Sequence, residues 1–405
     1  MLKKIIAISI LFVVLLSAGC TTAPKQVKTT KTAASTVQKT STTTSSPAVS
    51  TNSGITVIAA GSLGYALKDL GQKWREVYPN TPILPGGGIF MGSIKGGKQI
   101  GVLHRQYDVY ASAASSVIPQ VLAPKYASWM IVFATNQVSV LYSQSSKAPI
   151  TIEGKTYPVS DINSQNWWKF VTAPGVTIGV SNGSLDPAGF QAIQAMKLAG
   201  IYLVQHDNTA YNAWFHKELN YPVNDTNAIF QAIWIHKTKT GYLRPVGIEA
   251  SLDAMIKTGA PYFGISYRSL AKSYGLGYIQ LPWQVNLGYT NESAIRYYSQ
   301  INSSGAPMGL SGSSSEAAQS GAPIFYAVTI PTNAPNKVLA KNYIMLLLGP
   351  IGQQVLKDTY FKPLSKPYFV PFNSKVTLPS GLSPYTQKLP ARLQSGPGYK
   401  AMMGS

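Results

Sequence analysis

A single cysteine, Cys20, stands in 405 residues. That scarcity excludes disulfides within the chain, thiolate metal clusters and, once Cys20 is used in processing, a cysteine nucleophile in the mature globule. Histidine is nearly as rare. His104, His206, His216 and His236 form no HExxH or comparable pair, so the usual zinc-enzyme spacing is missing. Acidic residues number 14 against 34 lysines and arginines, a formal charge of +20. The first 53 residues hold six of those lysines and no acid, which leaves +14 on the remainder. Such an excess draws anions in general. Its lysines are scattered, however, and form no stripe of the kind that tracks nucleic acid. Without disulfides the fold needs a large core, and 45% hydrophobic residues can supply one.

The chain opens like an export signal. Lys3 and Lys4 precede an apolar run from Ile5 to Leu16, followed by Ser17-Ala18-Gly19-Cys20. That run is shorter than the roughly 20 residues a bilayer crossing takes, but it suits a signal-peptide core. Small residues leading into a lone cysteine form a lipobox. Residues 1–19 are therefore expected to be removed and Cys20 to be lipidated as the mature N-terminus. The alternative is an uncleaved N-terminal anchor. Either way the rest of the chain lies outside the cytoplasm, on the outer face of the cell membrane. Residues 20–53 are Thr/Ser-rich, and beyond Cys20 they contain no aromatic, leucine or acid. They cannot bury enough apolar surface to offset chain entropy and read as a flexible tether.

From Gly54 the pattern changes to alternating strands and helices, the signature of an α/β protein. Ile55 to Ala60 reads as a buried strand, and Leu67, Leu70, Trp74 and Val77 then recur at helical spacing. Tyr107 to Ala111, Val176 to Val180, Tyr262 to Tyr267 and Phe325 to Ile330 read as further strands. Trp129 to Leu141 is a long extended segment able to run from one lobe to another. Val338 to Leu348 reads as a helix stopped by Gly349-Pro350. Ser303 to Gly321 is Ser/Gly/Ala-rich and reads as a surface insertion.

Four motifs invite other readings. Gly179-Val180-Ser181-Asn182-Gly183 has nucleophile-elbow spacing after a strand, which would make Ser181 the nucleophile of an exported hydrolase. Leu185-Asp186-Pro187 follows where the elbow needs a helix at once, and only His206, His216 or His236 could supply its base. Gly92 to Lys98 fits a phosphate loop, but Gln99 replaces the Ser/Thr that binds magnesium. Histidine offers no zinc site, as above. Asn182, Asn224, Asn291 and Asn302 begin glycosylation triplets, which fit a surface location and decide nothing further.

The informative features are small-residue turns that lead into helices. Gly61-Ser62, Gly92-Ser93 and Asp186-Pro187-Ala188-Gly189 each stand at such a start. A helix N-terminus offers unpaired N–H groups and the positive end of a dipole, so it holds anions without a formal positive charge. Taken alone, each serine most simply caps its helix, and so does Asp186.

Taken together, these runs resemble a known family. Ala60-Gly61-Ser62-Leu63, Gly92-Ser93-Ile94 and Tyr107 to Ala113 are similar to the molybdate/tungstate-binding proteins of ABC importers, and the archaeal branch matches best. Pro124 to Trp129, Phe133 to Asn136, Ile162 to Trp167, Asp186 to Gly189, Arg244-Pro245 and Tyr267 to Ala271 extend the resemblance over about residues 55–372. It implies a two-lobed type II periplasmic-binding-protein fold, each lobe a mixed sheet flanked by helices, with the ligand in the cleft between them. Residues 54–139 and 286–405 would form lobe one and residues 140–285 lobe two, with hinges near Val138 and around Gln284. Carried over, the resemblance makes Ser62 and Ser93 the oxyanion donors of lobe one. Lobe two would contribute Asp186, the backbone at Pro187 and Ala188, Glu249 and the Tyr267 hydroxyl.

Two acids beside an anion repel it. The resemblance implies that Asp186 and Glu249 bond the tungsten or molybdenum centre itself, for which carboxylate oxygen is a hard ligand. Such bonding would select against sulfate and phosphate. The chain departs from the family pattern at Leu185, where a second acid is usual, and at Phe190-Gln191, where Tyr-Arg is usual; the loop before Glu249 is also longer. Glu249 alone also reads as an acid favoured at a helix start. The expected protein is thus a monomeric, membrane-anchored receptor that does no chemistry and needs no cofactor. It would hand tungstate or molybdate to a permease and its ATPase subunit. The alternatives are a carrier of sulfate, phosphate or another small solute, and the Ser181 hydrolase.

Overall fold

The computed structural model describes residues 54–144, 150–152, 154–171, 173, 175–181, 187–207, 243–247, 249–259, 262–303 and 319–404. The export segment, the tether, Cys20 and Asp186 lie outside these residues. So does most of the Ser/Gly/Ala-rich segment, which Asn302–Ser303 and Gln319–Ser320 flank as two paired strands.

In chain order the strands are β1 (Val57–Ala60), β2 (Ile89–Met91), β3 (Val109–Ser112), β4 (Trp129–Asn136), β5 (Val138–Ser143), β6 (Ile150–Ile152), β7 (Lys155–Tyr157) and β8 (Ile178–Ser181). There follow β9 (Leu243–Val246), β10 (Phe263–Tyr267), β11 (Leu276–Gln280), β12 (Asn302–Ser303), β13 (Gln319–Ser320), β14 (Ile324–Thr329), β15 (Lys362–Pro371) and β16 (Gln387–Lys388). Two sheets dominate. The first has the order β16-β15-β4-β14-β3-β1-β2 and the second β11-β5-β10-β8-β9.

The two sheets repeat one plan. In the first, β1 runs parallel to β2 and β3, and β14 lies antiparallel between β3 and β4. In the second, β8 runs parallel to β9 and β10, and β5 lies antiparallel between β10 and β11. Each sheet therefore includes one strand delivered by the chain as it crosses over. The first crossing is abrupt, because Gln137 alone separates β4 from β5. This is the two-lobed type II architecture that the resemblance implies.

The strands form where apolar runs can be buried on both faces. All eight residues of β4 are buried, as are all four of β1, β3 and β8, the expected pattern for sheets covered by helices. Helix Gly64–Val77 buries Leu67, Leu70 and Trp74 as their spacing predicts. Val77 departs from that stripe and is 46% exposed, because the helix ends there and its last turn faces solvent. Gly349-Pro350 also does more than stop a helix. Lys337–Leu348 ends at Gly349, and Pro350 begins a second helix, Pro350–Asp358, with the proline in the first turn where no N–H is needed. In the second lobe, helices Pro187–His206 and Glu249–Lys257 flank β8 and β10.

Candidate functional site

The parallel strands of both sheets end at the residues singled out from the sequence. Ser62 follows β1, Ser93 follows β2, Pro187 and Ala188 follow β8 after an undescribed stretch, Glu249 follows β9, and Tyr267 ends β10. In open α/β sheets ligands bind outside the carboxyl ends of the strands, where loops turn into helices. The ends of β1 and β9 meet across the crevice between the sheets, where a Cβ on Gly61, just after β1, would stand 2.9 Å from Oε1 of Glu249, just after β9.

Ser62 lies in the turn Gly61–Leu63, which runs directly into helix Gly64–Val77. It is buried, and its Oγ is 2.8 Å from the hydroxyl of Tyr326 on β14. Ser93 is the first residue of helix Ser93–Gly101 and is also buried. Its Oγ accepts the N–H of Ala113 at 3.0 Å, and its carbonyl accepts the Tyr110 hydroxyl at 2.7 Å. Neither serine caps its helix, contrary to the simplest reading of each alone: the cap positions belong to Leu63 and Gly92. The hydroxyls are engaged by the sheet behind them instead.

Across the crevice, Glu249 is the first residue of helix Glu249–Lys257 and is only 9% exposed. Its carboxylate meets the first lobe, since a Cβ on Gly61 would stand 2.9 Å from Glu249 Oε1. The helix-start placement suits an acid, because the positive dipole end favours negative charge there. Tyr267 is fully buried, and its hydroxyl donates to Gln191 Oε1 at 2.6 Å. Its ring lies edge-on to that of Tyr326, with centroids 6.2 Å apart. Pro187 and Ala188 are buried at the start of helix Pro187–His206. The structure thus brings Ser62, Glu249, Tyr267 and Tyr326 into one neighbourhood.

Tyr326, Asn136, Ser269 and Gln191 complete this polar cluster; of these the sequence marks only Gln191, as a departure from the family pattern. Asn136 ends β4 and donates through Nδ2 to Ser269 Oγ at 2.8 Å and to the Tyr326 hydroxyl at 3.2 Å. Burial pushes the Tyr326 phenol well above its ordinary range, and the nearby charge of Glu249 pushes it further. A tyrosine inside an apolar strand needs a partner for its hydroxyl, and that signal, read at Phe325 to Ile330, would have marked Tyr326.

Contacts elsewhere hold the lobes together. Arg268, directly after Tyr267, donates from Nε and Nη2 to the Tyr360 carbonyl of the first lobe at 3.1 and 2.8 Å. Phe190, on the first turn of helix Pro187–His206, belongs to the same buried apolar cluster as Ile58, Ile94 and Tyr110 of the first lobe.

The elbow motif fits its role poorly. Ser181 ends β8 fully buried, and the next described helix begins only at Pro187. His206 closes that 20-residue helix, roughly 30 Å from its start. His216 and His236 lie outside the described residues.

Comparison with known proteins gives the arrangement a place. The profile of the bacterial extracellular solute-binding proteins matches residues 55–362, about three quarters of the chain. The chain belongs to this family. Among solute-binding relatives, a protein of Thermoplasma acidophilum is 31% identical over 354 residues, covering 78% of this chain and 83% of its own. The molybdate/tungstate-binding protein WtpA of Thermococcus kodakarensis is 29% identical over 276 residues, covering 68% of this chain and 72% of its own. Among solved structures, the periplasmic molybdate-binding protein of Azotobacter vinelandii aligns with a TM-score of 0.46 at 12% identity, over 76% of this chain and 98% of its own. Among the described residues, no helix is long and apolar enough to cross a membrane.

Proposed function

We propose that this solute-binding protein captures tungstate or molybdate outside the cytoplasm and delivers it to the permease of an ABC importer. The observation that carries the reading is the meeting of Glu249 with Gly61, the residue before Ser62, across the crevice. Hydroxyls and helix starts supply hydrogen bonds to oxygens, as any oxyanion requires. A carboxylate pressed into the same place repels an anion unless it bonds the central atom. Tungsten and molybdenum accept such a ligand more readily than sulfur or phosphorus does. The name of the Thermococcus relative agrees with this choice.

In this reading Ser62 and Ser93 hold the oxyanion, the Tyr267 hydroxyl joins them by exchanging Gln191 Oε1 for a ligand oxygen, the backbone at Pro187 and Ala188 caps it, and Glu249 with Asp186 reaches the metal centre. Residues 54–137 with 286–405 make one lobe and 138–285 the other; the sequence suggested a boundary at 139, but Val138 and Ser139 pair in the second sheet. Residues 1–19 serve as signal peptide, and Cys20 carries the lipid that ties the monomer to the membrane through the 20–53 tether. The protein does no chemistry; the position of His206 far from Ser181 supports that.

Titration calorimetry with four anions tests the proposal. Tungstate and molybdate should bind, while sulfate and phosphate should bind much more weakly. Equal affinity for all four would make the protein a general oxyanion carrier. Heat from none of them, together with turnover of generic esters that is lost in Ser181→Ala, would establish the hydrolase instead.

A further inference from the structure

The polar cluster behind Ser62 has a direction. Asn136 Oδ1 accepts the N–H of Gln137 at 2.9 Å, which fixes the oxygen end of that amide. Its Nδ2 is then the donor to both Ser269 Oγ and the Tyr326 hydroxyl. An amide nitrogen donates and accepts nothing. The Tyr326 oxygen therefore uses one lone pair toward Asn136, and its buried hydrogen goes unpaired unless it points at Ser62 Oγ, 2.8 Å away. Ser62 Oγ in turn accepts, and its hydrogen is left to give.

We propose that Tyr326 is a positioning residue that holds Ser62 as a hydrogen-bond donor to the bound oxyanion. This rests on the oxyanion reading of the site. Ser93 is held in the same sense, because its Oγ accepts the N–H of Ala113, the residue just after β3. Burial and the Glu249 charge both keep the Tyr326 phenol protonated, so its hydrogen stays available to Ser62. Asn136, Tyr326 and Ser62 all belong to the first lobe, so the hydrogen bonds that direct Ser62 need no group from the second. Donors set in advance lose less freedom when the ligand arrives. The consequence is chemical. At Ser62 the site takes a ligand oxygen that only accepts, and a ligand hydroxyl turned to this position would set hydrogen against hydrogen.

A double-mutant cycle on the full chain tests the idea. Tyr326→Phe should lower tungstate affinity roughly tenfold, beyond whatever melting temperature it loses with the two buried hydrogen bonds it removes. Ser62→Ala should lower it at least as much, and the double substitution should be no worse than Ser62→Ala alone. An unchanged affinity in Tyr326→Phe, or an equal further loss in the Ser62→Ala background, would overturn the proposal. Should Tyr326→Phe fail to fold, Asn136→Asp serves, because an acceptor there draws the tyrosine hydrogen away from Ser62 and should weaken tungstate binding. Neutron diffraction from unliganded crystals reads the direction without any ligand. A deuteron on Tyr326 aimed at Ser62 Oγ supports the arrangement, and one on Ser62 aimed at Tyr326 refutes it. If the wild type binds neither tungstate nor molybdate, the oxyanion reading falls while the neutron result still decides the wiring.

Discussion

Gly61 and Glu249 approach so closely that a Cβ on the glycine would stand 2.9 Å from Glu249 Oε1. The two residues belong to different lobes and sit in the same relative position, just beyond a parallel strand of their own sheet. Gly61 has no left-handed backbone to explain its identity, since its φ lies outside that range. Room for the carboxylate is the reason on view.

Gly61→Ala should therefore act on binding more than on folding. The added methyl meets the far end of a flexible side chain, which can swing aside at little cost to stability, within about 0.5 kcal/mol. The displaced carboxylate no longer reaches the ligand, so tungstate affinity should drop by about tenfold, or ~1.4 kcal/mol. Calorimetry and a urea melt on the same sample separate the two effects. Unchanged affinity would remove this contact from the binding site.

The Tyr267–Gln191 hydrogen bond makes a second prediction. Both groups are buried and the bond is 2.6 Å long. Tyr267→Phe leaves the Gln191 amide oxygen without this donor and should cost about 1–3 kcal/mol of unfolding free energy. Gln191→Leu should cost a similar amount. With both substitutions the polar groups disappear together, and the loss should fall well below the sum of the singles. Simple additivity in urea unfolding would show that the pair is not coupled.

Arg268 joins the second lobe to the Tyr360 carbonyl of the first, one residue from Tyr267. If this contact belongs to the closed form alone, Arg268→Ala weakens closure while leaving every ligand contact in place. Tungstate affinity should then fall because the competent form is less populated. Small-angle scattering should show the same compact, ligand-bound radius of gyration in wild type and variant at saturation, each smaller than the unliganded value. Identical affinities would assign the contact to both forms.

Local patterns and distant pairings were not equally legible. The stripe Leu67, Leu70 and Trp74 announced its helix because a helix repeats every few residues, and the apolar runs of β1, β3 and β10 announced strands. Val77 broke its stripe because periodicity does not reveal where a helix ends. Ser62 and Ser93 looked like caps because capping is a local bond. Their actual partners are Tyr326, 264 residues away, and the N–H of Ala113, 20 residues away. Such pairings depend on which strands become neighbours; the first needs the crossing of β14 into the first sheet, and the second the place of β3 in it.

The acids give the sharpest prediction. Glu249 sits at a helix start, a place an acid favours for reasons unrelated to any ligand. Asp186 lies outside the described residues, next to the start of helix Pro187–His206. If the carboxylates bond the metal centre, Glu249→Gln and Asp186→Asn each remove a hard charged ligand and a coordination position. Tungstate affinity should then fall, while sulfate, held by hydrogen bonds alone, should be unaffected or bind slightly better as negative charge leaves. If both acids only serve their helix ends, the amides still accept backbone hydrogen bonds and stability changes by about 1 kcal/mol or less. In that case the lost negative charge improves binding of every anion, tungstate included. Calorimetry of the two variants with tungstate and sulfate tells these outcomes apart. A gain in tungstate affinity on either substitution would take that residue out of the metal's coordination sphere.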